Sequence, residues 1–163
     1  MMKEQITDWL EKDNRDYQVN EHPQLNWLIQ LKHGDRTILL GNPKENNDRL
    51  EVVYKLNISP EHKKIFNQLD ANQRVGFEKT LVMMLAEGST IYNITRDNQQ
   101  VPDSIVIKKH IYKQDLGIGL LYDTIQEVVN MGMRATIHFQ SLGGSQKQQE
   151  DVSSTKSGPS IYR

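Results

Sequence analysis

The stretch Ser104–Leu121, SIVIKKHIYKQDLGIGLL, decides the fold. Ser104–Tyr112 alternates apolar and polar side chains, the period of a half-buried strand. A polar turn follows, then Gly117-Ile118-Gly119 and a run in which apolar residues return every three or four positions. Two architectures can hold such a sequence. A strand, glycine loop and helix cradling a dinucleotide phosphate would need a third small residue where Tyr122 stands, and a parallel βαβ unit. The alternative is a strand that ends, with Asp115 capping a helix that starts. Upstream, TIYNITRD (Thr90–Asp97) and the turn NQQVPD (Asn98–Asp103) make Ser104–Tyr112 half of an antiparallel hairpin. The second architecture is therefore expected, with Gly117 and Gly119 in the first two turns of the helix and no nucleotide.

Outward from this stretch the periods continue to sort themselves. Ile118, Leu121, Ile125, Val128, Gly132, Ala135, Phe139 and Leu142 recur in steps of three and four. They form the stripe of one long helix, which Gly143-Gly144 is expected to stop. Near the N-terminus, Ile6, Trp9 and Leu10 mark a short amphipathic helix over Glu4–Asp13. Three alternating runs follow, LNWLIQL, TILL and RLEVVYKL, with Leu25, Trp27, Ile29 and Leu31 of the first expected on one face. The turn His33–Arg36 and the segment Gly41-Asn42-Pro43 separate them, so an antiparallel meander is the simplest pairing. ISPEHKKIFNQL then changes the period, with Ser59 as N-cap and Pro60 at the first helical position. Asp70 can cap a second segment whose stripe is Phe77, Leu81, Met84 and Leu85, giving a central helix broken near Leu69-Asp70. The order α-βββ-α-ββ-α describes an α+β domain built on an antiparallel sheet.

Composition bounds the rest. The 163 residues suit one domain, Met1–Leu142. Residues 143–163, GGSQKQQEDVSSTKSGPSIYR, hold too few apolar side chains to offset their ordering entropy and read as a disordered C-terminal tail. A formal net charge of −1 argues against a dedicated nucleic-acid or anionic-membrane binder. Zero cysteines exclude disulfides, thiolate metal sites and a cysteine nucleophile. No apolar run approaches the roughly 20 residues of a membrane span, and MMKEQITDWLEKDNRD has no signal-peptide core. A soluble, cytoplasmic protein is expected.

The α-βββ-α-ββ-α order with its broken central helix resembles the type III secretion chaperone fold. ISPEH after the third strand, and VPDSIVIKKHIY leading into the last helix, further resemble an uncharacterised, largely archaeal family of unknown function that shares this fold. The resemblance spans about Ile6–Leu142. It implies a chaperone-like or adaptor-like role and brings no catalytic residues.

Side chains that could carry chemistry are dispersed. His22, His33, His62, His110 and His138 show no helical pair spacing, and no cofactor or metal is expected from them. The carboxylates Asp8, Glu11, Asp13 and Asp16 sit among polar neighbours rather than in an apolar pocket that would raise a pKa. Lys108, Lys109 and Lys113, with Tyr112, could meet a phosphate backbone, yet alternation sends Lys108 and Lys109 to opposite faces. More informative is apolar surplus on the wrong side of the strands. Leu28, Leu39, Val53 and Val106 point away from the main apolar rows, where a sheet covered on one face should be polar. Either strand twist and the segment DYQVNEH cover them internally, or they form a dimer interface or a groove for an extended peptide. Together with Met83 and Met84 on the central helix they are the candidate contacts for a protein or peptide partner, and a homodimer would cover such surface. The competing readings are a small enzyme whose acids or histidines meet only in the fold, and a nucleic-acid accessory protein using strand 108–113.

Overall fold

The computed structural model describes the backbone of residues 1–154 and the side chains of residues 1–143. Helix α1 (Met2–Lys12) leads into strands β1 (Tyr17–Asn20), β2 (Leu25–His33), β3 (Arg36–Pro43) and β4 (Arg49–Asn57). Helices α2 (Pro60–Gln68) and α3 (Ala71–Ala86) follow, then β5 (Ile91–Arg96), β6 (Pro102–Tyr112), a 3-10 turn (Lys113–Asp115) and α4 (Ile118–Ser154). The six strands form one antiparallel sheet in the order β1-β2-β3-β4-β6-β5. The α+β architecture expected from the strand and helix periods is the one observed, with one additional strand at its edge.

The core lies between the helices and one sheet face. Ile29, Leu40 and Val52 stand side by side across β2, β3 and β4, and Leu31, Ile38, Tyr54 and Ile107 form the neighbouring row. Apart from Tyr54 at 8%, none of these is more than 1% exposed. They share one cluster with Ile6 and Leu10 of α1, Phe66 of α2, Phe77, Leu81 and Leu85 of α3, and Leu121, Ile125, Val128 and Ala135 of α4. Every helix therefore buries its stripe on the same side of the sheet.

The central helix is broken where its caps are. Ser59 Oγ accepts from the His62 N–H at 3.2 Å. Asp70 Oδ1 accepts from the Gln73 N–H at 2.8 Å while Gln73 Oε1 accepts from the Asp70 N–H at 3.0 Å, a reciprocal capping box. Glycine conformation matters at Gly34, whose φ of +65° closes the β2–β3 turn.

Several local expectations are corrected. Pro102 opens β6 rather than lying in the turn, and the first position of a strand is one where the missing proline N–H is tolerated. Asp115 belongs to the 3-10 turn, and Gly117 precedes α4, accepting from the Leu121 N–H at 2.9 Å. Because β6 pairs antiparallel with both β4 and β5, no parallel βαβ unit precedes that helix. The stop at Gly143-Gly144 is overrun, since α4 continues to Ser154. Two glycines cost a helix only about 1 kcal/mol each against alanine, and Gln146–Glu150 are good helix formers. Of the expected tail, residues 155–163 lie outside the described residues.

Candidate functional site: the open face of the sheet

Cross-strand pairing places Leu39 opposite Val53, Val53 opposite Lys108, Leu28 opposite Gly41, and Val106 opposite Lys55. Leu28, Leu39, Val53 and Val106 therefore share the face turned away from the helices. All four are half-buried, and none packs against the core cluster. DYQVNEH does not lie over them: its Tyr17–Asn20 portion is β1, paired edge-on with β2.

Leu25 joins them, against expectation. The β2–β3 ladder shifts register between Leu25 and Trp27, and this bulge at Asn26 turns Leu25 to the open face. Its side chain lies over Gly41, where an added Cβ would meet Leu25 Cδ1 at 2.9 Å. The bulge is held by an asparagine network. Asn26 Nδ2 donates to Asn42 Oδ1 at 2.8 Å and Asn47 Oδ1 at 2.7 Å, and the buried Asn42 donates to the carbonyls of Asn47 and Arg49. Satisfying these amides internally keeps a rigid corner at the end of the apolar row.

Beside that corner, Glu51 is ringed by positive groups. Its Oε1 lies 3.0 Å from Arg49 Nη2, 3.7 Å from Lys108 Nζ and 3.2 Å from His110 Nε2. The last contact has the distance of an ion pair without an aligned hydrogen bond. Burial holds the His110 imidazole below the usual histidine range; Arg49 and Lys108 add to this and Glu51 opposes it. Leu25, Pro43, Arg49, Glu51 and Lys108 line a groove of about 470 Å³. By strand register the open face carries Lys32, Arg49, Lys55 and Lys108 against the single carboxylate of Glu51, with Glu45 from the adjoining loop 3.7 Å from Arg49. This face is cationic on a chain whose formal charge is −1.

The remaining candidates separate. Lys109 is on the core side, paired with Glu127 of α4 and donating to Ser89 Oγ at 3.0 Å. Lys113 follows β6, its N–H bonded to the Asp48 carbonyl, so the basic cluster is divided. Met83 is 57% exposed, whereas Met84 packs against the core. His138 stacks on Phe77 with ring centroids 4.0 Å apart, its Nε2 3.0 Å from the Phe77 carbonyl, on the helix side and remote from His110. His62, in the first turn of α2, has its Nδ1 2.8 Å from Oγ of the N-cap Ser59. Among the described residues no group of three or more His, Cys, Asp or Glu side chains could hold a metal ion, and no helix is long and apolar enough to cross a membrane.

The uncharacterized conserved protein family DUF2299 matches residues 2–139, and the chain belongs to that family. An uncharacterized protein from Methanothermobacter thermautotrophicus has a similar crystal structure, with a TM-score of 0.82 at 17% identity over 86% of this chain and 98% of its own. YbjN from E. coli is more distant, with a TM-score of 0.46 at 11% identity over 88% of this chain and 92% of its own. No curated protein matches the chain. The resemblance seen in ISPEH and VPDSIVIKKHIY was thus to the family in which the chain is placed.

Proposed function

We propose that this member of the uncharacterized family is a non-enzymatic, chaperone-like binding module, acting as a homodimer. Its open sheet face takes extended segments of protein or peptide partners. The reading rests on one observation: Leu28, Leu39, Val53 and Val106 form a half-buried aliphatic diagonal across β2, β3, β4 and β6, on a face that no helix covers among the described residues. Covering a half-exposed aliphatic side chain returns about 1 kcal/mol, so four supply a useful part of a micromolar affinity.

Charge selects the partner. Lys32 and Lys55 are exposed and Lys108 stands opposite Val53, so a segment carrying aliphatic and acidic residues matches the apolar character and the sign of this face. Glu51 keeps Arg49 and Lys108 in place while leaving the face positive. The separation of His110 from His138 favours binding over acid–base catalysis as the use of these residues.

The test is selection of displayed random peptides on the immobilised full chain. The enriched peptides should combine Leu, Ile or Val with Asp and Glu, and should lose binding to Val53→Lys. Enrichment of basic peptides, or of peptides that bind Val53→Lys equally well, would contradict the reading. Equal retention of single-stranded DNA by both proteins, with no peptide enriched, would favour the nucleic-acid alternative.

A further inference from the structure

Strand β5 closes one side of the sheet, and its outer edge has no neighbour among the described residues. Sheet proteins usually blunt such edges with lysine, proline, a bulge or a very short strand. The other edge follows this practice, since β1 has only four residues. β5 does not. Ile91-Tyr92-Asn93-Ile94-Thr95 is free of charge and proline, and its irregularity lies at the far end, between Thr95 and Arg96. Arg96 itself is engaged by Glu78 of α3, with Nη1–Oε1 at 2.5 Å and Nη2–Oε2 at 3.2 Å. Ile91 is 50% exposed and Asn93 is exposed.

We infer that β5 is the seam of a homodimer, pairing antiparallel with β5 of a second copy about a twofold axis at Asn93. This rests on the homodimer of the proposed function and gives it a location at the sheet edge, beside the Val106 end of the open face. The strand is self-complementary in that register. Ile91 faces Thr95 of the second copy on the open side, and Tyr92 faces Ile94 of the second copy on the core side, so both pairs keep the inward and outward sets together. The two Asn93 side chains meet at the axis, where amides can hydrogen-bond each other. An acidic partner segment would find no cation along Ile91–Thr95, which separates the occupant of this edge from that of the cationic face. Joining β5 to β1 of a neighbour would give a ring or an open chain of subunits, whereas β5 to β5 closes at two. The closed pair yields one continuous twelve-stranded sheet with the two open faces on the same side.

The dyad gives a sharp test. Full-length wild type, Asn93→Lys and Asn93→Asp are compared by sedimentation at micromolar concentration, with thermal melts reporting folding. Wild type should sediment at twice the chain mass. Each variant alone should shift to the chain mass, because like charges meet at the axis, and an equimolar mixture of the two should recover the double mass. Thr95→Lys, away from the axis, should also weaken the dimer. A wild-type monomer would overturn both this seam and the homodimer, while leaving peptide binding to be judged by its own selection. A dimer that persists in Asn93→Lys and Asn93→Asp, or that is lost instead in Val53→Lys, would overturn the seam alone.

Discussion

Gly132 of α4 lies against the ring of Tyr54 in β4 so closely that an added Cβ would sit 2.1 Å from Tyr54 Cε1. This contact lets the long helix approach the centre of the sheet, and Tyr54 is only 8% exposed beneath it. Gly132→Ala should therefore destabilise the protein by about 1–3 kcal/mol, as overpacking in a tight core does. Gly119→Ala is the contrasting case, because nothing lies within 4 Å of its added Cβ and its φ is not positive. It should be neutral or stabilising by up to about 1 kcal/mol. Chemical denaturation of both variants checks the pair, and equal effects would contradict this account of the helix–sheet contact.

Loss of the α3 cap has a defined size. Asp70→Ala removes the acceptor for the Gln73 N–H and uncouples the reciprocal bond. A loss of about 1 kcal/mol is expected, with Asp70→Asn retaining most of the stability. A loss below a few tenths of a kcal/mol would mean that α3 is held by Phe77, Leu81 and Leu85 alone.

Acid should weaken the fold through two histidines. Burial holds both His110 and His33 below the usual histidine range, reinforced by Arg49 at the first and by Arg15 and Arg36 at the second. Below about pH 6.5 the unfolded chain takes up protons that these native imidazoles resist, so stability falls; above it their contribution is complete. The denaturant midpoint should be lower at about pH 5.5 than at about pH 7.5, and the difference should shrink in His33→Gln/His110→Gln. An unchanged difference in that variant would assign the acid sensitivity to other groups.

Oligonucleotide binding should be weak. Lys108 and Lys109 stand on opposite faces, tied to Glu51 and Glu127. A strand of DNA on the open face meets Lys108 without Lys109, and there Glu51 offsets part of the charge of Arg49 and Lys108, so anisotropy titrations should show weak binding at physiological salt and a modest salt dependence. Tight binding with a steep salt slope, reduced by Lys108→Ala, would contradict this.

Much of this fold was legible because local patterns and tertiary burial agree. Ile29, Leu31, Leu40 and Val52 alternate in sequence and lie at the centre of the core, and Ser59-Pro60 and Asp70 mark the broken helix where it breaks. The misses have physical causes. Tyr17-Gln18-Val19-Asn20 is too short and too polar to announce a strand, and is one only because β2 offers it an edge. Leu25 left its row because a bulge, fixed by Asn26, Asn42 and Asn47 from three separate segments, reversed the alternation. The opposite face of Leu28, Leu39, Val53 and Val106 could be read by counting residues. The ring around Glu51 could not, since it depends on which residue of β6 stands opposite β4.

The central claim is that the row Leu28, Leu39, Val53 and Val106 is where a partner segment lies. Its most direct measurement is methyl NMR of the full chain during titration with an acidic, aliphatic peptide obtained by the selection described above. The account predicts shifts concentrated on the methyls of Leu25, Leu28, Leu39, Val53 and Val106, all of which lie on the open face. Shifts concentrated instead on Val75, Val82 and Met83, the exposed apolar side chains of α3, would contradict it.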